Sequence, residues 1–256
     1  MHYELGGAPA WRTKLPWELA EISGLTLAPD NSVLAHGDER AVIYRFDLGT
    51  RRLIGRFGLT GSRGVLHGDF EDIALVGDRL FLVASTGEIV EGRVAADGQT
   101  ARAVRRTRGL GGACEVEGMT PDSSTESLLL LCKTTGSKRW RGQVVILAVS
   151  TVTWRFEDAP RILVSEKALG AVTGEKHFHG SALTWHPRTG TLLLLAGPQH
   201  ALAEITRTGD VLGGGRLNGR LHPQPEGIAV APDQTLLISD EAAGGTAAIT
   251  GYAYRK

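Results

Sequence analysis

Three glutamates and two serines recur in one short context: Ser23-Gly24-Leu25-Thr26, Glu71-Asp72-Ile73-Ala74, Glu117-Gly118-Met119-Thr120, Ser181-Ala182-Leu183-Thr184 and Glu226-Gly227-Ile228-Ala229. Carboxylates crowded together cannot all stay ionised without a counter-charge, so they must protonate, pair or bind a cation. An all-oxygen set of this kind suits Ca2+, a hard ion that takes about 6–8 oxygen ligands in a flexible shell. Zn2+, the alternative, would recruit nearby histidines instead. The competing reading is structural: glutamates here accept hydrogen bonds from the backbone of neighbouring repeats and stitch them together.

Two residues before this column stand Glu21, Asp69, Glu115, His179 and Gln224, and two earlier again Leu19, His67, Ala113, His177 and His222. Residues two apart on a strand point the same way, so all three columns belong to one side of the molecule. His36, His67, His177, His179, His200 and His222 then fall on one rim. Histidine ordinarily titrates near neutrality, which makes His177 and His179 candidate catalytic bases. A cation in the oxygen ring would polarise a substrate oxygen and activate a water. Together they describe a metal-dependent hydrolase of a small ester, lactone or phosphoester. The alternative is a non-catalytic module that binds a ligand or protein around a structural metal. The lack of a nucleophile with an adjacent base favours binding, and the histidine cluster favours chemistry.

The elements that must position these residues follow from the spacing of the column, which is 48, 46, 64 and 45 residues. Each copy continues with a tight turn, such as Pro29-Asp30, Gly77-Asp78, Pro121-Asp122, Pro187-Arg188 or Pro232-Asp233, and then an apolar run. Pro presets φ at the second turn position and Asp bonds its own backbone, so these turns have a mechanism. Third strands follow at Val42–Leu48, Ile89–Val94, Val144–Val149, Ala201–Thr206 and Ala247–Tyr254, and fourth strands at Leu53–Phe57, Ala101–Arg106, Arg161–Val164 and Val211–Leu217. Four-stranded units at this period predict an all-β fold, a β-propeller of five four-stranded blades. The fifth copy has no room for a fourth strand, and Ala10–Leu15 has no copy of its own, so the N-terminal strand is predicted to close the ring. Six blades is the alternative, if the 64-residue unit hides another blade; its excess reads more simply as loop around Trp154–Pro160 and Ala168–Lys176.

Glu21-Ile22-Ser23-Gly24-Leu25, with Gly37-Asp38-Glu39, Gly68-Asp69-Phe70-Glu71-Asp72-Ile73-Ala74 and Gln224-Pro225-Glu226-Gly227-Ile228-Ala229, resembles the SdiA-regulated family of bacterial β-propellers over about residues 17 to 254. The resemblance implies a propeller with a calcium site near the axis, falling here on Glu71, Glu117 and Glu226. Glu21, which opens the family-like Glu-x-Ser-Gly-Leu stretch, is a fourth candidate ligand. The resemblance brings no activity with it. The fourth copy, His177-Phe178-His179-Gly180-Ser181-Ala182, departs from the family pattern and is the most individual part of the face.

Composition bounds the rest. The 256 residues form one domain, 1–256, by this reading, and 42% hydrophobic content excludes a disordered chain. Lys plus Arg equals Asp plus Glu at 28 each, so no overall basic field selects nucleic acid or an anionic membrane. Apolar runs such as Leu128–Cys132 are too short to span a bilayer. The expected partner is a small molecule at the channel mouth of a monomer. The N-terminus has no basic, apolar leader, which points to the cytoplasm, with a removed signal peptide as the alternative. Cys114 and Cys132 read as buried small hydrophobes; their places at the start and end of paired strands leave a disulfide as the alternative. The basic run Arg102–Arg108 reads as a solvated outer-strand edge, where charge discourages edge pairing.

Overall fold

The computed structural model describes residues 1–255, in which five antiparallel sheets stand around a central axis. From the axis outward, blade 1 is Ile22–Leu27, Ser32–Gly37, Val42–Asp47 and Arg52–Gly61. Blade 2 is Phe70–Val76, Arg79–Ala84, Ile89–Arg93 and Arg105–Arg106, and blade 3 is Cys114–Asp122, Ser127–Thr135, Gln143–Ser150 and Ile162–Ser165. Blade 4 is Ala182–Trp185, Leu192–Ala196, Ala201–Ile205 and Val211–Arg216. Blade 5 takes Pro225–Val230, Leu236–Asp240 and Ala248–Tyr252 from the C-terminus and Trp11–Lys14 from the N-terminus. Trp11 faces Gly251 and Lys14 faces Ala248, so the two ends of the chain zip the ring shut as expected.

The strands run apolar on both faces because both are covered. Leu192 and Leu194 pack toward blade 3 with Leu129, Leu131 and Ile146, whereas Leu193 and Leu195 pack toward blade 5 with Ile228 and Ile238. The other three seams are filled the same way: Phe81 and Val83 on Leu128 and Leu130, Val33 and Ala35 on Leu237 and Ile249, and Leu34, Ile43 and Phe57 on Leu80 and Leu82. Each seam buries apolar area at roughly 25 cal/mol per Å2, so the core is distributed around the ring and no blade stands alone.

Two expectations change in detail. The predicted outer strand Ala101–Arg106 is two strands: Thr100–Arg102 pairs in parallel with Arg52–Gly61 of blade 1, and only Arg105–Arg106 joins blade 2. The chain thus straps blade 1 before finishing blade 2. The extra length of the third unit forms no sixth blade. Part of it, read as loop, is a helix, Glu166–Thr173, capped by the Ser165 hydroxyl accepting from the Ala168 N–H and ended by Gly174 at φ 78°. Among the described residues no helix is long and apolar enough to cross a membrane.

Candidate functional site

A β-bulge builds the column. In blade 1 the ladder jumps from Ile22↔Gly37 to Gly24↔His36, leaving Ser23 unpaired; in blade 2 it jumps from Phe70↔Ala84 to Asp72↔Val83 across Glu71. Blades 3 and 5 do the same, from Val116↔Cys132 to Gly118↔Leu131 across Glu117 and from Pro225↔Asp240 to Gly227↔Ser239 across Glu226. An unpaired residue bends its strand and re-aims its side chain. Ser23, Glu71, Glu117 and Glu226 are these residues, and Ser181 stands just before the equivalent strand of blade 4.

The next position explains the glycines. A Cβ on Gly118 would lie 2.9 Å from the Cα of Ala182, and one on Gly24 would lie 2.8 Å from the Cα of Asp72. Inner strands of adjacent blades approach to backbone contact there, which a side chain would block. Blade 2 carries Asp72 instead, and its buried carboxylate accepts from the Met119 N–H of blade 3 at 2.6 Å and the Ile73 N–H at 2.8 Å. The stitching role considered for the column glutamates is therefore performed between blades 2 and 3 by their neighbour. Burial drives the Asp72 pKa well above the usual carboxylate range, the two N–H donors opposing it.

The glutamates converge electrostatically. Burial pushes Glu71 up to about 9, with Glu117, Asp69 and Glu226 adding repulsion and Lys133 opposing it. Burial likewise raises Glu226 to about 7, reinforced by Glu117 and offset by Lys133 and by hydrogen bonds from Ser181 and Gln224. Glu117 is raised by burial too, against the Lys133 ammonium, whose Nζ donates to Glu117 Oε1 at 2.9 Å. Lys133 lies near the end of the second strand of blade 3 and is the cation of this cluster; its own pKa is raised because the attraction of Glu117, Glu115 and Glu226 outweighs desolvation, the largest single effect. Glu21 is exposed in an outer arc, where it and Asp38 repel Glu241, which burial and Glu226 already raise to about 7. Further along the same inner strands, a cavity of about 220 Å3 is lined by Leu25, Ile73, Met119 and Leu183 together with Thr26, Thr120 and Thr184.

The donor chemistry of Glu71, Glu117, Glu226, Ser23 and Ser181 fits a hard cation, because buried carboxylates that repel one another need positive charge. The positive charge they meet is Lys133, hydrogen-bonded to Glu117; among the described residues no three His, Cys, Asp or Glu groups close on one metal-sized point.

The histidines divide. His177 and His179 stack with ring centroids 6.1 Å apart and line a recess of about 320 Å3 that also includes Lys133. Gln199 fixes this pair, its Oε1 accepting from the His179 N–H at 3.0 Å, while His177 Nδ1 lies 3.6 Å from Glu166 Oε1. His67 lines a separate groove. His36 and His222 are fully buried: His36 is pulled down to about 4 by desolvation, and His222 sits between Asp240 Oδ2 at 2.9 Å and the Tyr252 hydroxyl at 2.7 Å. These two are packing groups of blades 1 and 5. Cys114 and Cys132 form a disulfide, so the alternative reading is the observed one. Lys133 follows Cys132 directly, and its value as counter-charge to the column was missed; a lone lysine at a predicted mouth of carboxylates was the available signal.

A ring of four-stranded blades with an acidic, bulge-built mouth defines a five-bladed β-propeller with an axial site. The SdiA-regulated family model matches residues 164–250, from the outer strand of blade 3 through most of blade 5, which bears out the resemblance. No curated protein matches the sequence. Among solved structures, glutaminyl cyclase of Myxococcus xanthus is similar at TM-score 0.66 and 13% identity, over 97% of this chain and 96% of that one. The PQQ-bound aldose sugar dehydrogenase of Streptomyces coelicolor is similar at TM-score 0.61 and 14% identity, over 96% and 99%. A protein of unknown function from Bacteroides caccae matches at TM-score 0.46 and 14% identity, over 80% of this chain and 64% of its own length, so this chain spans less than two thirds of it. At these identities the likeness is one of fold.

Proposed function

We propose that the axial mouth is a hydrolytic site for a small ester, lactone or phosphoester. The observation that supports this most is a pair of carboxyl groups of unlike proton affinity, Glu71 near 9 and Glu226 near 7, around one ammonium, Lys133. Environments that push two carboxyls apart assign acid and base roles. Glu226, partly ionised at neutral pH, takes a proton from the attacking water. Lys133 faces the carbonyl or phosphoryl oxygen on which charge develops. Glu71 gives its proton to the leaving oxygen, and both carboxyls are reset by exchange with solvent. A Ca2+ ion held by Glu71, Glu117 and Glu226 would be an alternative to this proton arrangement, since it would keep the carboxylates ionised and would itself supply Lewis-acid polarisation of the substrate oxygen. His177 and His179, in the recess that Lys133 borders, form the alternative base.

The test is a panel of short-chain esters, lactones and phosphomonoesters with the wild type, Glu226→Gln, Glu71→Gln and His179→Ala. Hydrolysis lost in both glutamine variants supports the reading, and a panel with no substrate turned over sinks it. Loss in His179→Ala alone moves the base to the recess. The second reading, a non-catalytic ligand-binding propeller, draws on the hydrogen bond that already engages Glu117 with Lys133. Propellers called glutaminyl cyclase and aldose sugar dehydrogenase share the fold, so the fold does not choose a reaction.

A further inference from the structure

The strap that links blades 1 and 2 creates a second feature, independent of the axial mouth. The parallel strand Thr100–Arg102 lies on blade 1, Arg105–Arg106 lies on blade 2, and a hairpin from blade 1, closed by Gly61↔Gly64, rises beside them. Between them is a groove of about 800 Å3, lined by Arg63, His67, Arg102, Arg105 and Arg106 and by no carboxylate. In a chain with 28 cations and 28 anions, four arginines border a groove whose lining holds no acid, and only Arg106 among them has a carboxylate partner, Glu88, which lies outside the lining.

The arginines are held in two ways. Arg105 lies over the Trp154 ring, its guanidinium 5.1 Å from the centroid, and Arg106 is anchored by Glu88 from outside the groove. Arg63 and Arg102 are exposed and make no ion pair among the described residues. The two free forks, Arg63 and Arg102, suit an oxyanion with several oxygens, because each can take two of them at once, while Arg105 and Arg106, engaged by Trp154 and Glu88, add positive charge at the groove's edge. The groove falls in the range of roughly 300–1,000 Å3 of small-molecule sites, well above what one phosphate ion fills.

We infer that this groove binds a small molecule carrying a diphosphate or longer phosphate chain through Arg63 and Arg102, with Arg105 and Arg106 supplying further positive charge at its edge. The test is calorimetric titration of the full chain with ATP, inorganic pyrophosphate and inorganic phosphate, and with an oligoglutamate peptide. Pyrophosphate and ATP are expected to bind alike and more tightly than phosphate, which assigns recognition to the phosphate chain; ATP binding alone would add a base contact to the same site. Arg63→Ala/Arg102→Ala is expected to weaken binding by about tenfold or more per charge-assisted contact removed. The control Lys14→Ala/Lys167→Ala removes the same charge elsewhere on the surface and is expected to bind as the wild type does. Failure of ATP and pyrophosphate to bind, equal loss in the control, or tighter binding of oligoglutamate overturns the inference. Melting curves of both variants separate loss of the site from loss of the fold.

Discussion

Lys133 Nζ lies 2.9 Å from Glu117 Oε1, with the glutamate side chain 8% exposed and the lysine 32% exposed. The pair places one positive charge beside a carboxylate that burial would otherwise neutralise. Removing only the cation leaves the carboxylate to protonate or destabilise. Lys133→Met is therefore expected to lose about 1–3 kcal/mol at pH 8 and much less at pH 5, where a protonated Glu117 needs no partner. Urea unfolding at the two pH values measures the difference. An equal loss at both would mean that Lys133 acts through the packing of its stem.

Glu71 and Glu226 set the pH dependence of stability. Their folded pKa values, about 9 and about 7, lie above the ordinary glutamate value of 4.5, so between these limits the folded state holds protons that the unfolded chain has released. Stability contributed by each group is full below 4.5 and is lost as pH rises, through about 7 for Glu226 and about 9 for Glu71. The melting temperature is expected to fall from about pH 5 to about pH 9. Glu71→Gln should flatten the fall over its whole length, and Glu226→Gln only the part below about pH 7. Unchanged slopes in both variants would remove the glutamates as its cause.

A cation competes with these same protons. If Glu71, Glu117 and Glu226 hold Ca2+, its stabilisation is larger at pH 8 than at pH 6, because fewer protons must be displaced. Thermal shift with Ca2+, with Zn2+ and after EDTA is expected to show this order, with Ca2+ the stronger ion, and to lose it in Glu226→Gln. No shift with either ion would leave Lys133 as the counter-charge of the ring.

The architecture was legible because it repeats. Turn chemistry at Pro29-Asp30 or Pro232-Asp233 is local, and the orphan stretch Ala10–Leu15 could only complete the last sheet, where Trp11–Lys14 is found. Features that depend on partners were not legible. Nothing in Ala101–Arg106 shows that Arg102 pairs with Thr60 of one blade and Arg106 with Val90 of the next. The column of glutamates was visible by alignment, but the bulge that aims it is a property of two paired strands. His36 and His222 were placed at the mouth by strand position alone; both are fully buried, which position in a strand cannot reveal. Asp72 looked like one more residue of the repeat, and only its 2.6 Å contact with Met119 makes it a link between blades.

The Cys114–Cys132 disulfide gives the last prediction, because it joins the entry of one strand to its hairpin neighbour beside the site. It closes a loop with a sequence separation of 18, with Glu117 just inside the loop and Lys133 just after it. Cross-linking a loop of about 15–20 residues restricts the unfolded chain by about 3 kcal/mol in the chain-entropy account. Cys114→Ala/Cys132→Ala is expected to lose about that amount in urea unfolding, with a fall in the urea midpoint at unchanged m-value. Thiol titration of the unreduced, unfolded wild type should find no free cysteine. Because the bond restrains the hairpin that carries both Glu117 and Lys133, its loss is also expected to weaken their contact, so a further Lys133→Met substitution costs less in the cysteine-free chain than in the wild type. A double-mutant cycle reads that coupling; strict additivity would show that the disulfide steadies the fold without steadying the site.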